Sequence, residues 1–379
     1  MNLLISAGEA SGDLHGARLL ASLRRRRPSL KAFGMGGGRL AAAGLERLAR
    51  AEDLSVMGFA EVLERLPSVL RALSALRTAA AQRRPEAAVL IDFPDFHAAL
   101  SRRLRREGIP LIYYVSPQVW AWRPGRARVI AERARRILTL FPFETAIYER
   151  YGADAVCTGH PVVDDVREAL ANEPDPPPKT GPRLILLPGS RRSELRRHWP
   201  PMRDAAASLR ARRGIEAFVS RAPDLEADLY PGAAEAGIRF AGPGTHRLVA
   251  SADLAFVASG TATLEVALCG TPMVVVYRTS RSSFAIGSAL VRVPWISLVN
   301  IVAQEAVVPE ILQDRLTPEA LCREAAILLD DDERRRIMKR GLERVARELG
   351  PPGASDRAAD AVLEVVTDEG RVPVSLAGR

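Results

Sequence analysis

Asn172-Glu-Pro-Asp-Pro-Pro-Pro-Lys-Thr-Gly-Pro182 runs directly into Arg183-Leu-Ile-Leu-Leu187. Proline lacks the main-chain N–H that a helix interior or a central strand requires, so the first part reads as an extended connector. The apolar run after it, bounded by a proline, reads as a buried strand. Outward from this junction the same pattern appears on both sides. Before it, short apolar runs at 3–6, 87–91, 111–115 and 136–141 alternate with helical candidates at 12–26 and 96–106. After it, runs at 183–187, 216–220, 254–258 and 273–277 repeat the rhythm. Strand–helix–strand alternation implies a parallel sheet wound on both faces, here twice. Gly350-Pro-Pro-Gly353 marks a further break, and 355–366 reads as a capped last helix. The expected class is α/β: a Rossmann-like domain over 1–172, a linker over 173–182, a second such domain over 183–350, and a helix and tail over 351–379. The two sheets are expected to face a cleft, with the last helix returning to the first domain.

Composition narrows the function classes. With 379 residues, 47% of them apolar, the chain can bury two cores and is not disordered. Its three cysteines, Cys157, Cys269 and Cys322, stand far apart, against a zinc site or a disulfide framework. The N-terminus has no basic n-region and meets Glu9 and Asp13 too early for a signal peptide, so a cytoplasmic protein is expected. The weakly charged stretch 254–277 is cut by Gly260, Gly270 and Pro272 into pieces too short to span a bilayer. Net charge is +9, and nearly all the cations are arginine. Solvated helix faces explain it, as would an anionic membrane surface or a phosphorylated substrate. Nucleic acid is not expected, because the arginine clusters carry no interleaved aromatics and no recognition motif.

Open α/β sheets bind ligands where strands end and loops enter helix N-termini. Ser259-Gly-Thr-Ala-Thr-Leu-Glu265 is one such exit. Ser259, Gly260 and Thr261 leave backbone N–H groups free, and the helix dipole adds positive potential suited to a diphosphate. Glu265, one turn beyond Thr261, is placed for ribose hydroxyls. The plainer alternative makes Thr261 a helix cap and Glu265 a solvated residue. Leu187-Pro-Gly-Ser-Arg191 is a second exit. There Gly189 permits close approach, Ser190 can donate, and Arg191 can clamp two phosphate oxygens, unless it simply faces water. Arg278, at the end of run 273–277, joins these as a binding candidate. No DxD pair lies nearby, so neither a metal nor a cofactor is expected; Arg191 and helix dipoles would balance the leaving group.

In the first half, Ala7-Gly-Glu-Ala-Ser-Gly-Asp13 follows the first strand. Ser11, with Gly12 beside it, reads as a helix N-cap, whereas Glu9 sits on the loop with no structural need for a carboxylate. Asp92-Phe-Pro-Asp95 ends the run 87–91. Asp92 is the leading candidate for a general base and Asp95 the reserve, helix N-capping being the simpler role for Asp95. His97 reads as packed or solvated. Trp120 and Trp122 form either an apolar acceptor rim or core. Gly34-Met-Gly-Gly-Gly38 does not follow the first strand and lacks the third glycine of a dinucleotide fingerprint.

Taken together, these motifs resemble the lipid-A-disaccharide synthases, inverting glycosyltransferases of the GT-B fold. The matching pieces are AGEASGD at 7–13, VMGFAEVL at 56–63, DFPDF at 92–96, YVSPQVWAWR at 114–123, FPFE at 141–144, TGHPVVD at 158–164, LLPGSRRSE at 186–194, ASGTATLE at 258–265 and SLVN at 297–300. They run along almost the whole chain. The resemblance implies that UDP-2,3-diacylglucosamine gives its sugar to the 6-hydroxyl of 2,3-diacylglucosamine 1-phosphate, forming a β(1→6) disaccharide and UDP. By motif, Asp92 is then the essential carboxylate and Arg191 the essential arginine, with Glu9 also in the site. Ser259, Gly260, Thr261, Glu265, Asn300 and Glu310 fall on the UDP-sugar side. The family pattern departs near 299–306, where Val299 stands for a proline and Gln304-Glu-Ala306 replaces a Gly, a basic residue and a Glu. The resemblance also implies peripheral association with the cytoplasmic face of the inner membrane and leaves a homodimer open.

Acylated substrates call for a membrane-facing surface. Val62, Leu66, Val69, Leu73 and Leu76 recur near helical spacing beside Arg65, Arg71 and Arg77, as a stripe for an anionic leaflet or for the core. Segment 284–291 is a second such stretch. The rival readings are another GT-B enzyme, such as a peptidoglycan-type N-acetylglucosaminyltransferase or a UDP-sugar epimerase, and a non-catalytic basic membrane-binding protein.

Overall fold

The apolar runs become parallel strands in a computed structural model that describes residues 1–54, 59–116, 119, 125–222, 225–242, 245–280, 284 and 293–369. Packing divides the chain into two units, Met1–Pro161 with Pro352–Arg379, and Val162–Pro351.

The first unit holds β1 (Asn2–Ala7), β2 (Lys31–Gly36), β3 (Glu46–Arg50), β4 (Ala87–Ile91), β5 (Leu111–Tyr114), β6 (Arg136–Thr139) and β7 (Ala155–Cys157). Their order in the sheet is β3-β2-β1-β4-β5-β6-β7. Every residue of β4 is buried, as a strand covered on both faces demands. On one face, helices Phe59–Arg83 and Pro94–Arg106 set Leu73, Leu76, Leu100 and Leu104 against Leu4, Phe33 and Leu90. The stripe at 62–76 therefore divides: Leu73 and Leu76 face the core, whereas Leu66 and Leu70 are exposed. Strand β5 stops one residue short of the expected end because Val115 takes a left-handed φ of 55°. β6 stops at Thr139, and the Glu144 carboxylate takes the N–H groups of Leu140 (3.1 Å) and Phe141 (3.3 Å), which gives FPFE a local structural role.

The last helix, Ala354–Glu369, does return to the first unit, burying Ala358, Val362 and Val365 against helix Ala10–Arg26. Asp356 receives hydrogen bonds from Ser22, Arg26 and Arg25, which pull its carboxyl down to about 2.

The second unit holds β8 (Arg183–Leu187), β9 (Glu216–Val219), β10 (Arg239–Phe240), β11 (Leu254–Ala258), β12 (Met273–Tyr277) and β13 (Glu310–Leu312), in the order β10-β9-β8-β11-β12-β13. Helix Val162–Asn172, expected with the first half, packs instead on helices Thr245–Ala250 and Thr261–Leu268. The proline-rich stretch is strapped to this unit as well. Lys179 pairs with Asp253 at 2.7 Å, and the buried Arg183 guanidinium donates to the Pro177 carbonyl at 2.8 Å. Charge and hydrogen bonding thus draw the connector onto the second unit.

Each sheet reverses its strand order once, between β1 and β4 and between β8 and β11. Ligand crevices in open α/β sheets form at such reversals.

Candidate active site

At the first reversal, Ala7 pairs with Ile91 on the last rung, so Gly8-Glu9 and Asp92-Phe93 leave the sheet side by side. The Phe93 ring lies against Gly8, where a Cβ would overlap it, so any side chain at position 8 would displace the ring. Asp92 and Phe93 adopt left-handed φ angles of 48° and 66° in succession. Such conformations are costly for L-residues and persist only when the surroundings enforce them. Here the Phe93 N–H donates to Asp92 Oδ1 at 2.9 Å, and Pro94 opens the following helix. Beneath them, buried His97 bonds through Nε2 to Ser6 Oγ at 2.9 Å and through its ring to the Asp92 main chain. Burial lowers His97 to about 3, so it is neutral and packed, a brace under the turn. Burial first, and then the charge of Glu9, raises the half-buried Asp92 carboxyl to about 6.

The neighbouring candidates fall out differently. The N-cap of helix Ala10–Arg26 is Glu9, not Ser11, and Glu9 makes no side-chain cap bond. Ser11 is exposed in the first turn, while Gly12 packs under the sheet, a Cβ there coming within 3.4 Å of the Ile91 carbonyl. Asp95 does not cap its helix either. Phe93 holds that position, and the exposed Asp95 pairs with Arg126. Asp13, the last residue of AGEASGD, is buried and accepts the N–H groups of Gly37 (2.7 Å), Arg39 (3.0 Å) and Leu40 (3.1 Å). The glycine run 34–38 thus serves packing and this carboxylate.

At the second reversal, Leu187 pairs with Val257, so the exits of β8 and β11 are also neighbours. Gly189 has φ 115° and leads through Ser190 to Arg191, the N-cap of helix Arg192–Arg213. Glu194 Oε2 accepts the N–H groups of Ser190 (3.2 Å) and Arg191 (3.4 Å), and its other oxygen takes the Arg191 guanidinium at 2.8 Å. Glu194 thus holds both amides and one guanidinium nitrogen of Arg191, whose side chain is otherwise exposed. Beside them, Gly260 with φ 150° is the cap of helix Thr261–Leu268, displacing Thr261 from the capping role. Thr261 is exposed in the first turn, Ser259 donates to the Ile296 carbonyl at 2.8 Å, and Glu265 faces His246 at 3.5 Å.

Three other candidates spend their polar atoms on the fold. Buried Asn300 donates to the Val308 carbonyl and Glu310 at 2.9 Å each, and its oxygen takes the N–H groups of Val307 (2.8 Å) and Val308 (2.9 Å). Glu310 accepts from the N–H groups of Ile296 and Ser297 besides. The Arg278 guanidinium donates to the Gln313 and Leu316 carbonyls. Through these bonds the three residues shape the β12 and β13 exits.

The sequence reading passed over Glu194, His198 and His246. His198 is buried; one ring nitrogen bonds the Pro188 carbonyl at 2.9 Å and the other accepts the Arg278 N–H at 2.9 Å, linking two strand exits. Glu194 carried a signal, an acid three residues into a helix start. The histidines carried none, since their partners are remote in sequence. Trp120, Trp122, most of YVSPQVWAWR and the segment 284–291 apart from Phe284 lie outside the described residues, as do 56–58 of VMGFAEVL. Among the described residues no cluster of three metal-ligating side chains occurs, and no helix is long and apolar enough to cross a membrane.

The family model described as lipid-A-disaccharide synthetase matches residues 3–365. The lipid-A-disaccharide synthase of Anaeromyxobacter dehalogenans (strain 2CP-C) is 46% identical over 96% of this chain and 97% of its own length. That of Myxococcus xanthus (strain DK1622) is 43% identical over the same shares. Among solved structures, the calicheamicin glycosyltransferase CalG4 superposes with a TM-score of 0.64 at 16% identity, covering 98% of both chains. Acinetobacter baumannii MurG gives a TM-score of 0.62 at 15% identity, over 96% of this chain and 99% of its own. These two share the GT-B fold; the sequence relatives and the family model go further, and the chain belongs to the lipid-A-disaccharide synthase family of glycosyltransferases.

Proposed function

We propose that the chain transfers 2,3-diacylglucosamine from its UDP derivative to the 6-hydroxyl of 2,3-diacylglucosamine 1-phosphate. The observation that carries the assignment of the base is Asp92: a strand-end carboxylate at a sheet reversal, braced by His97 and raised to about 6 beside Glu9. A carboxylate of that basicity is ionised at neutral pH and takes a proton more readily than an ordinary aspartate. In the single displacement, the acceptor oxygen bonds to the anomeric carbon as the bond to the UDP oxygen breaks. The hydroxyl proton passes to Asp92, and the electron pair leaves with UDP. Charge building on UDP is met by Arg191 and by the first-turn amides of helix Thr261–Leu268, groups aimed where negative charge develops. Glu265 lies one turn along that helix, suited to the ribose hydroxyls.

For the membrane, exposed Leu66 and Leu70 beside Arg71 on helix Phe59–Arg83 supply an apolar contact edged by charge. Flotation with anionic vesicles tests this part: Leu66→Asp with Leu70→Asp should abolish co-flotation, and flotation unchanged by the pair would refute it. The reaction is tested by UDP release from the diacylated donor. Release that depends on the acylated acceptor supports the proposal, and release without any acceptor refutes it. An absolute requirement for added divalent cation would move charge neutralisation away from Arg191.

A further inference from the structure

We infer that His246 is a positioning residue for the donor side, holding Glu265 in place and offsetting part of its charge next to the bound diphosphate. The inference rests on the reading of Glu265 as a ribose-binding residue. His246 opens the short helix Thr245–Ala250, which packs with helices Val162–Asn172 and Thr261–Leu268. Its Nδ1 lies 2.9 Å from Glu173 Oε1 and its Nε2 lies 3.5 Å from Glu265 Oε2, so the ring is held between two carboxylates. Glu173 is fixed in turn, since its other oxygen accepts the Arg247 N–H at 3.0 Å and its carbonyl takes the Arg247 guanidinium at 3.0 Å. Glu265 is thereby tied, through one ring, to the start of the proline-rich stretch.

The charge of this ring follows from its partners. Glu265, and after it Glu173, raises His246 to about 9 against the opposing effect of burial, so it is an imidazolium at neutral pH. Among the described residues Cys269 also faces this ring; it directs its Sγ toward the His246 carbonyl and is pushed up to about 12, hence neutral. Arg247 is committed to Glu173 and Asp175.

The consequence concerns the first turn of helix Thr261–Leu268. A bare carboxylate at position 265 would repel a diphosphate bound at the amides of the first turn. An imidazolium at 3.5 Å, shared with Glu173, offsets part of that repulsion and leaves the carboxylate as an acceptor for hydroxyl groups. A mere stitch between helices would stabilise the unit without affecting nucleotide affinity, and this is the alternative to be separated.

The experiment is a double-mutant cycle read by calorimetric UDP binding to the full chain, using His246→Gln, Glu265→Gln and both together. His246→Gln should weaken UDP by roughly three- to tenfold, and in the Glu265→Gln background the same change should cost almost nothing further. His246→Lys, which keeps a cation, should recover part of the affinity. In turnover, the donor KM should rise while kcat and the acceptor KM stay unchanged. Wild-type affinity in a folded His246→Gln, or an equal loss in both backgrounds, overturns the inference and leaves the donor assignment standing. Wild-type UDP affinity in a folded Glu265→Ala, which leaves no acceptor at this position, overturns the ribose reading itself, and this inference with it.

Discussion

Glu9 and Asp92 leave adjacent strands of one parallel ladder, and the negative charge of Glu9 adds to burial in raising the Asp92 carboxyl to about 6. The pairing of Ala7 with Ile91 dictates this, because it places both exits at the same height. A base with that property has a visible signature in the pH dependence of the reaction.

As base, Asp92 must be ionised. kcat/KM should therefore fall on the acid side with an inflection near 6. Glu9→Gln removes the like charge and should move the inflection down toward the ordinary aspartate range, without reaching it, because burial remains. A pH–rate profile of both proteins checks this, and an inflection that ignores Glu9 contradicts the pairing.

Asp92→Asn should reduce turnover by about 10²- to 10⁴-fold while the protein stays folded. Asparagine suits the test because it tolerates the left-handed φ of 48° as aspartate does. Its effect on stability has a definite sign. A carboxyl whose pKa is raised on folding favours the fold below its unfolded value and loses that contribution as pH rises through about 6. At neutral pH the ionised Asp92 is a burden on the order of 1–3 kcal/mol, so the neutral variant should melt a few degrees higher. Thermal melts at pH 5 and pH 8 should show the larger gain at the higher pH.

Arg191→Ala should abolish turnover with little change in melting, since the side chain is 58% exposed and its pairing with Glu194 is a surface one. Arg191→Lys should restore only a small part of the rate, because an ammonium does not reproduce the two-point geometry of a guanidinium. Equal rates for lysine and arginine would show that bulk charge suffices.

Gly189→Ala should damage both loop and activity. The new Cβ would lie 2.5 Å from Glu194 Oε2, at a φ of 115° that an L-residue rarely adopts. A destabilisation of about 1–3 kcal/mol is expected, together with a raised donor KM. Urea denaturation and donor titration measure the two effects separately.

Asn300→Ala should unfold the second unit more easily rather than weaken donor contacts directly. It strands the buried N–H of Val308, removes the acceptor of Val307 and takes a partner from Glu310, a loss of about 2–4 kcal/mol. A variant of full stability with a raised donor KM would return Asn300 to the ligand side.

Much of this was legible in the chain itself. Buried parallel strands need continuous apolar runs, so β4, β8, β11 and β12 appear in the sequence with the same ends they have in the structure. The glycines of 189–191 and 259–261 singled out two strand exits, Asp92 was singled out by following a strand directly, and the structure puts all three at sheet reversals. What the sequence could not supply was partnership. Whether Asn300, Glu310 and Arg278 point at ligand or at main chain depends on loops that close only when β12 and β13 pair. The placement of helix Val162–Asn172, the brace from His97 to Ser6, and the chain from Glu173 through His246 to Glu265 likewise join residues far apart along the polypeptide. Local propensity and periodicity are properties of neighbouring residues, whereas burial, charge pairing and hydrogen-bond satisfaction arise only once the whole fold brings remote groups together.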